Sequence, residues 1–252
     1  MQKYDAIIVG AGIAGMTAAI YVKRAGRSVL LIEEKVCGGQ IINTLNIGNW
    51  PGEAKISGTD LSNKILAQVK ELDVEIKYEE VVNVREGFVV KTDEAEYGCS
   101  ALIIATGTEP RRLSEKQEKD AGRRPISYCA TCDGALYKGK KVVVVGSGNT
   151  AKHEMQYLSN ICSEVYHIHH DDPIPEDAEA VFVAIGREPA TKVFGDLVDL
   201  DREGYVVAGE DCHTSHVGVF VAGDCRTKEL RQLVTAASDG AMAASEAVKY
   251  LG

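Results

Sequence analysis

This sequence lacks the features of membrane, secreted and nucleic-acid-binding proteins. None of its apolar runs approaches the roughly 18 residues that a membrane span needs. Residues 1–5 lead directly into a strand-like segment at residues 6–9, without a secretory signal. Basic residues are too few for general nucleic-acid binding, since 28 Lys and Arg face 37 Asp and Glu and the net charge is -9. We therefore expect a cytoplasmic protein that binds neither membranes nor nucleic acid.

Aromatic residues are also scarce. They make up 6% of the chain, whereas glycine occurs 25 times, a balance that favours an α/β fold with tight glycine turns over a β-sandwich. Since no secretory signal accompanies the seven cysteines, we do not expect a structural disulfide framework. Only Cys129 and Cys132 form a C-x-x-C pair. Because no second pair stands at zinc-finger spacing, we expect no metal site.

Two glycine-rich turns each follow a short β-branched segment and precede a helix-like segment. They read Gly-Ala-Gly-Ile-Ala-Gly at residues 10–15 and Gly-Ser-Gly-Asn-Thr-Ala at residues 146–151. In a G-x-G-x-x-G/A turn the first glycine makes the bend and the second lets backbone N–H groups approach a pyrophosphate. The third position needs a small residue so that helix and strand can pack. Both turns therefore indicate nucleotide-binding units.

The first turn has a complete setting. The pattern predicts a helix over residues 13–25 and a strand over residues 28–32, followed by Glu33. An acid at this point of a dinucleotide-binding unit holds a ribose hydroxyl. We predict a nucleotide site here.

The second turn begins in the same way, but the chain after it is too short. A helix over residues 149–158 and a strand over residues 165–168 are followed by His-His-Asp-Asp at residues 169–172. After an acidic stretch with two prolines, the next strand already begins near residue 181. A mononucleotide-binding half normally has the order βαβαβ. No residues remain for its second helix and strand, so we predict a truncated domain.

The C-x-x-C pair lies in Cys-Ala-Thr-Cys-Asp-Gly at residues 129–134, before a short helix-like segment. A helix end and neighbouring groups can lower the pKa of one thiol and make a thiolate available, so such a pair can cycle between dithiol and disulfide. Asp133 is next to Cys132 and can move the proton that this exchange requires. We predict that Cys129, Cys132 and Asp133 are catalytic.

The charges are distributed unevenly. Residues 109–141 carry nine basic and five acidic side chains, whereas residues 171–211 carry three basic and twelve acidic ones. The basic stretch is either an ordinary solvated surface or a docking face for an acidic partner.

In these motifs the chain resembles the low-molecular-weight thioredoxin reductases, which are two-dinucleotide-fold flavoproteins. Besides the first glycine turn and the C-x-x-C-D-G motif, the resemblance rests on residues 37–40, 49–52, 104–107, 183–186, 219–224 and 231–232. It implies an α/β fold with a complete FAD domain, residues 1–109 and 212–252. Residues 110–211 would form a small redox domain, which carries the C-x-x-C pair and a truncated second Rossmann-like domain.

The resemblance also implies the FAD contacts. The first glycine turn would bind FAD and Glu33 would hold its adenosine ribose, while Asp224 would bond the ribityl chain. Arg231 and Gln232 would lead into a helix whose positive end faces the flavin. The full set implied is Gly10, Gly12, Ile13, Ala14, Gly15, Glu33, Glu34, Gly39, Gln40, Asn49, Val82, Ala105, Thr106, Gly107, Gly223, Asp224, Arg231 and Gln232.

The chain departs from the common family pattern at the second nucleotide site. Ordinary members carry His-Arg-Arg where this chain has His169-His170-Asp171. A carboxylate there would repel the 2′-phosphate of NADPH and neutral histidine supplies no fixed charge, so we expect no bound NADPH. The chain resembles most closely the ferredoxin-dependent flavin thioredoxin reductases, in which the second domain is shortened.

This resemblance implies a homodimer in which ferredoxin is the electron donor and thioredoxin is the substrate. Cys132 would face the flavin, and Cys129 would attack the thioredoxin disulfide. The hinges between the domains would lie near residues 108–110 and 210–212. Three alternatives stay open: an NADH-dependent reductase with Asp171 on the ribose, an oxygen-using FAD dithiol oxidase, and a flavin-binding interaction protein without turnover.

Overall fold

A computed structural model describes residues 1–44, 46–85 and 87–252, which divide into two compact units. The first unit contains Met1–Thr108 and Pro189–Gly252, and the second unit contains Glu109–Glu188. Among the described residues, no helix combines the length and the apolar character needed to cross a bilayer.

The described residues form thirteen strands, six α-helices and four short 3-10 helices. The strands are β1 (Gln2–Val9), β2 (Val29–Glu33), β3 (Glu75–Tyr78), β4 (Val81–Arg85), β5 (Val89–Thr92), β6 (Glu96–Ile104), β7 (Thr108–Pro110), β8 (Ile126–Ser127), β9 (Lys141–Val145), β10 (Glu164–Ile168), β11 (Ala180–Val183), β12 (Arg187–Pro189) and β13 (Val219–Val221). The α-helices are α1 (Ile13–Arg24), α2 (Gly58–Glu71), α3 (Glu115–Ala121), α4 (Ala130–Asp133), α5 (Asn149–Ser159) and α6 (Leu233–Leu251). Short 3-10 helices cover Gly39–Asn43, Gly134–Tyr137, Lys192–Phe194 and Gly223–Cys225.

A seven-stranded sheet forms the centre of the first unit. Its order is β3-β2-β1-β6-β5-β4, and β13 pairs with β6. Strand β1 runs parallel to both β2 and β6, as β13 does to β6. Helices α1 and α6 pack in the core on one face of this sheet. Because β1, β2, β6 and β13 point the same way, the loops after them meet at one edge of the sheet, where ligands bind in open α/β folds.

The chain returns to the first unit earlier than the sequence predicts. We expected the first domain to resume at residue 212, but the first unit resumes at Pro189. Phe194, Val198 and Val206 are buried in the same hydrophobic cluster as Val219 of β13. Residues 189–211, which we predict from the sequence to belong to the redox domain, are therefore part of the first unit.

The two chain crossings between the units are short strands. Strand β7 pairs with β12 in a two-stranded sheet. The first predicted hinge, residues 108–110, coincides with β7, whereas the second one, residues 210–212, lies inside the first unit. The second crossing is at Glu188 and Pro189 instead.

The second unit has a four-stranded sheet of order β10-β9-β11-β8, in which β9 runs parallel to β10 and β11. Helix α5 connects β9 to β10. The return from β10 to β11 uses residues 169–179, which form neither helix nor strand. Parallel strands are usually connected through a helix. The missing helix is the shortening that the sequence predicts for the second Rossmann-like domain.

Candidate active site

The first glycine turn, at the end of β1, is shaped by close backbone contacts. Gly10 has φ 100°, and a Cβ on it would lie 2.4 Å from the carbonyl oxygen of Ala105. A Cβ on Gly15 would lie 1.8 Å from the carbonyl oxygen of Gly10. Neither position can hold a larger residue without a backbone shift.

The middle of the same turn is open. Among residues 1–44, 46–85 and 87–252, no atom lies within 4 Å of a Cβ built on Gly12, and no side chain caps the start of α1 there. The first N–H groups of a helix have no partner within the helix and attract anions. Ile13 and Ala14, the first residues of α1, are buried. The turn therefore offers an open cradle for a pyrophosphate.

Glu33 and Gly39 lie beside this cradle. The Glu33 carboxylate at the end of β2 accepts hydrogen bonds from the N–H groups of Ala11 (2.7 Å) and Lys35 (3.0 Å). A Cβ on Gly39 would lie 3.3 Å from Cα of Gly12. Glu34 is exposed, with an oxygen 3.6 Å from Nζ of Lys35.

Val82 lies where the chain leaves β3 for β4. The N–H of Glu79 donates to the carbonyl oxygen of Glu33 (3.0 Å), and Val82 follows three residues later. Its side chain is 42% exposed. Val82 is the second residue of β4, the strand at the other edge of this sheet from β3.

A second group of predicted residues gathers around the start of α6. Asn49 donates from Nδ2 to Oε1 of Gln232 (3.0 Å), the residue before α6. Arg231 donates from Nε to the carbonyl oxygen of Asp224 (3.2 Å), and its guanidinium stacks 4.2 Å from the ring centre of Tyr205.

The loop after β6 faces the Gly39–Asn43 helix. Gln40 of that helix donates a hydrogen bond from Nε2 to the carbonyl oxygen of Thr108, and a Cβ on Gly107 would lie 3.9 Å from the same nitrogen. Ala105 is buried, and the buried hydroxyl of Thr106 has no hydrogen-bond partner within the described ranges. An orphaned hydroxyl beside an open cradle fits a polar ligand such as FAD.

The sequence reasoning missed a buried ion network under the Gly223–Cys225 helix. Arg226, 1% exposed, donates to both carboxylate oxygens of Asp239 (2.9 Å each), and Lys228 Nζ lies 2.7 Å from Asp239 Oδ2. Asp239 also accepts the N–H of Gly223 (3.0 Å). Although burial raises it, hydrogen bonds from Arg226 and Lys228 hold the pKa of Asp239 below its usual value. Arg226 follows the Gly-Asp motif, but no pattern marks Asp239 within α6.

In the second unit, Cys129 and Cys132 form a disulfide. Cys129 immediately precedes α4, and Asp133 ends it. The sequence reasoning missed Ser127, whose buried hydroxyl donates to Oδ2 of Asp133 (2.6 Å) and accepts the N–H of Cys129 (3.2 Å). The structure therefore brings the three predicted catalytic residues together and adds a serine that connects two of them.

Glu154 of α5 is a further group beside this motif that the sequence reasoning missed. Its Oε1 accepts a hydrogen bond from the N–H of Ala130 (3.4 Å). Burial raises the pKa of Glu154 to about 7, while the Ala130 N–H and the charge of Arg187 lower it. No sequence pattern marks Glu154 as a buried acid, because its burial depends on α4 packing against α5.

The second glycine turn keeps its shape. Gly146 has φ 150°, and a Cβ on it would lie 2.3 Å from the carbonyl oxygen of Ala184. Within the described part of the chain, no atom lies within 4 Å of a Cβ on Gly148, and Ala151 is buried. The local turn is therefore as complete as the first one, although the domain around it is shortened.

The segment after β10 is exposed and acidic. The His169 N–H donates to Oδ2 of Asp172 (2.8 Å), and His170 Nδ1 lies 3.1 Å from Oδ2 of Asp171. Asp171 has φ 76°. The side chains of residues 169–172 include no arginine, so this turn holds no fixed positive charge.

Part of the basic stretch is neutralised inside the second unit. Arg111 pairs with Glu188 (3.1 Å), and Lys141 pairs with Glu164 (3.1 Å) and Asp177 (2.8 Å). The local excess of positive charge is therefore smaller than the sequence count indicates.

Comparison with known proteins identifies the family of this chain. The family model described as pyridine nucleotide-disulphide oxidoreductase matches residues 4–176 and 171–240. A thioredoxin reductase from Listeria innocua is 37% identical, over 98% of this chain and 94% of its own. One from Bacillus subtilis is also 37% identical, over 98% and 95%. The chain belongs to the thioredoxin reductases of this family. The predicted flavin disulfide reductase class is thereby confirmed, and FAD is the cofactor that the family supports.

Solved thioredoxin reductases share the fold. The enzyme from Streptococcus pyogenes is 32% identical with a TM-score of 0.90, covering 99% of this chain and 98% of that one. A ferredoxin-flavin thioredoxin reductase from Clostridium acetobutylicum is 28% identical with a TM-score of 0.64, covering 100% and 98%. The predicted α/β fold with two Rossmann-like domains is confirmed.

The Listeria thioredoxin reductase is longer than this chain inside the matched region. The alignment with the Listeria protein spans 299 positions, more than the 252 residues available, so that relative has internal residues without a counterpart.

Proposed function

We propose that this thioredoxin reductase takes electrons from reduced ferredoxin and passes them, with FAD as cofactor, to the Cys129–Cys132 disulfide and on to thioredoxin. The observation that carries the proposal is the disulfide itself, with the Asp133 carboxyl held next to it by Ser127. A disulfide with a fixed acid beside it has both groups that thiol–disulfide exchange needs.

The residues of the first unit fit FAD. The open cradle at Gly12 and the start of α1 suit a pyrophosphate, and the Glu33 carboxylate suits a ribose hydroxyl. When bound, FAD supplies the two-electron chemistry that opens a disulfide. The start of α6, after Arg231 and Gln232, carries positive character that stabilises negative charge on a reduced cofactor ring.

The chain's own residues would then carry out the exchange with thioredoxin. The Cys129 thiolate attacks the thioredoxin disulfide, so one sulfur–sulfur bond breaks and a mixed disulfide forms. Cys132 attacks Cys129 and closes the internal disulfide again. Asp133 takes the proton of the Cys132 thiol as this sulfur attacks and passes it to one released thioredoxin thiolate. A proton from solvent completes the second thioredoxin thiol, and both electrons end on thioredoxin.

The choice of ferredoxin rests on the second nucleotide site. A 2′-phosphate needs fixed positive charge, and residues 169–172 present Asp171 and Asp172 instead. The connection from β10 to β11 also lacks its helix. Exposed basic residues in the second unit, such as Arg112, Lys116 and Lys119, would suit an acidic iron–sulfur protein.

NADH is the second candidate donor, because the turn at Gly146 and Gly148 keeps the geometry of a pyrophosphate cradle. Asp171 stands 20 residues after Ala151, where an acid would bond the 2′-hydroxyl of NADH. NADH carries no 2′-phosphate, so the carboxylates would not exclude it.

An anaerobic titration of the FAD-loaded protein separates the donors. Photoreduced ferredoxin should bleach the flavin absorbance and produce thiols on thioredoxin, while NADPH and NADH should each leave the absorbance unchanged. Rapid bleaching by stoichiometric NADH would replace ferredoxin with NADH as the donor. The Cys132→Ser variant should keep FAD and lose thioredoxin reduction, and full activity in this variant would refute the role of the disulfide.

A further inference from the structure

A carboxyl group that the proposed reaction does not use packs against the redox motif. Glu154 Oε1 accepts the N–H of Ala130, the residue between Cys129 and Thr131, at 3.4 Å. Its Oε2 is buried and makes no hydrogen bond within the described part of the chain. An ionised carboxylate needs partners for both oxygens, whereas burial without them favours the neutral acid.

Helix α5, which carries Glu154, packs on an apolar core. Helices α4 and α5 pack with β9 and β11 around a core that contains Ala130, Ala151 and Leu158. The ionisable groups on the elements around Glu154 are Asp133 on α4, Tyr137 after it, Lys141 on β9, Glu164, Tyr166 and His167 on β10, Arg187 and Glu188 on β12, and Lys152, His153 and Tyr157 on α5 itself.

Four of these groups have partners other than Glu154. Lys141 pairs with Glu164 and Asp177, Tyr166 donates to Asp177, and His167 donates to the carbonyl oxygen of Gly146. The positive charge of Arg187 lowers the pKa of Glu154. Burial raises this pKa by more, so that it lies at about 7.

We propose that Glu154 is a proton-holding group that takes up a proton when the Cys129–Cys132 disulfide is reduced. The proposal rests on the proposed function of this disulfide. Reduction by two electrons and one proton breaks the S–S bond and leaves one thiol and one thiolate. The new negative charge beside Ala130 raises the proton affinity of Glu154, and a second proton from solvent then binds its carboxylate.

This coupling has a defined pH window. Below about pH 7 Glu154 is neutral in the oxidised protein and adds nothing to the pH dependence of reduction. Above about pH 7, Glu154 is charged in the oxidised protein and binds a proton on reduction. Each pH unit then changes the reduction equilibrium by up to a further factor of ten, which is about 30 mV for a two-electron couple. The effect ends where Glu154 is charged in the reduced protein as well.

The test is the disulfide equilibrium of the FAD-loaded protein in dithiothreitol redox buffers, from about pH 6 to about pH 9. Samples are quenched in alkylating reagent and the modified cysteines are counted by mass spectrometry. In Glu154→Gln an oxygen still accepts the Ala130 N–H, but the side chain cannot titrate. The parent curve should be steeper than the variant curve above pH 7 and parallel to it below. Parallel curves over the whole range would overturn the proposal.

Two further measurements make the result specific. Glu176→Gln changes an exposed glutamate of the same unit and should follow the parent curve. Infrared difference spectra of the parent at about pH 8 should gain a protonated-carboxyl band on reduction, and its absence would contradict the proposal even if Glu154→Gln did not fold. A disulfide that stays closed in every buffer would refute the proposed function, whereas one that opens with parallel curves would refute only the role of Glu154.

Discussion

At the scale of single residues, the redox motif depends on a side chain outside it. Ser127 is 6% exposed, and its hydroxyl connects the Asp133 carboxyl to the backbone N–H of Cys129. A carboxyl on a short helix has rotational freedom, and the hydrogen bond of 2.6 Å removes it. Ser127 thus positions the acid that the proposed exchange uses.

Replacing Ser127 tests this positioning role. Ser127→Ala should lower kcat for thioredoxin reduction by roughly 10-fold to 100-fold, because general acid–base catalysis contributes 10²–10⁴ and requires alignment. The pH–rate profile should change as well, while FAD absorbance stays the same. Ser159→Ala, an exposed serine of the same unit, should behave like the parent. An unchanged profile and kcat in Ser127→Ala would assign Ser127 to loop structure alone.

At the scale of elements, α6 is fixed to the first unit by a close approach and an ion network. A Cβ on Gly240 of α6 would lie 2.2 Å from the carbonyl oxygen of Ala14 in α1. Asp239, next to it, holds Arg226, Lys228 and the N–H of Gly223. The same contacts fix the Gly223–Cys225 helix, which carries the predicted FAD contact Asp224.

Removing the Asp239 charge should destabilise the first unit. Asp239→Asn leaves the buried Lys228 without its anion and Arg226 with only the exposed Glu210, and breaking a buried ion pair costs about 3–5 kcal/mol. Since the pKa of Asp239 lies below its ordinary value of 3.8, its contribution is complete above that pH and is lost as pH falls through the lowered pKa.

Urea unfolding at neutral pH measures this loss. Exposed Asp196→Asn is the matched control and should change the free energy of unfolding by less than about 0.5 kcal/mol. An equally small change in Asp239→Asn would show that the network contributes no net stability.

At the scale of the whole molecule, the second unit is one continuous segment, whereas the first unit is assembled from both ends of the chain. The sheet of the second unit has its own hydrophobic cluster on each face, one containing Val143 and Val181 and the other containing Val144 and Phe182. A segment with a two-sided core of its own can fold independently.

Residues 109–188 produced alone should therefore form a folded domain with the Cys129–Cys132 disulfide. We expect a single cooperative urea transition, with a midpoint that falls when the disulfide is reduced, because a reduced chain has more conformational freedom when unfolded. The matched control is Cys132→Ser in the same segment, whose midpoint should not respond to reductant. A gradual, non-cooperative transition in the oxidised segment would show that the first unit is needed for its fold.

Local spacing alone determined the parts of this protein that depend on backbone shape and reactive groups. Gly10, Gly15 and Gly146 are readable in sequence because each bends the chain where a Cβ would strike a neighbouring backbone. The Cys129–Cys132 pair is readable because its partners are three residues apart. The family resemblance and the missing helix after β10 follow from the order of such motifs and the residues between them.

Tertiary structure decided the rest, because it brings together residues that are distant in sequence. Asp239 meets Arg226 only when α6 packs on the sheet, and Glu154 meets Ala130 only when α5 packs on α4. The return to the first unit at Pro189 likewise depends on Phe194 and Val206 being buried against β13. A sequence pattern records which side chains are apolar or charged, but burial, and with it the pKa of Glu154, depends on which surfaces the fold places in contact.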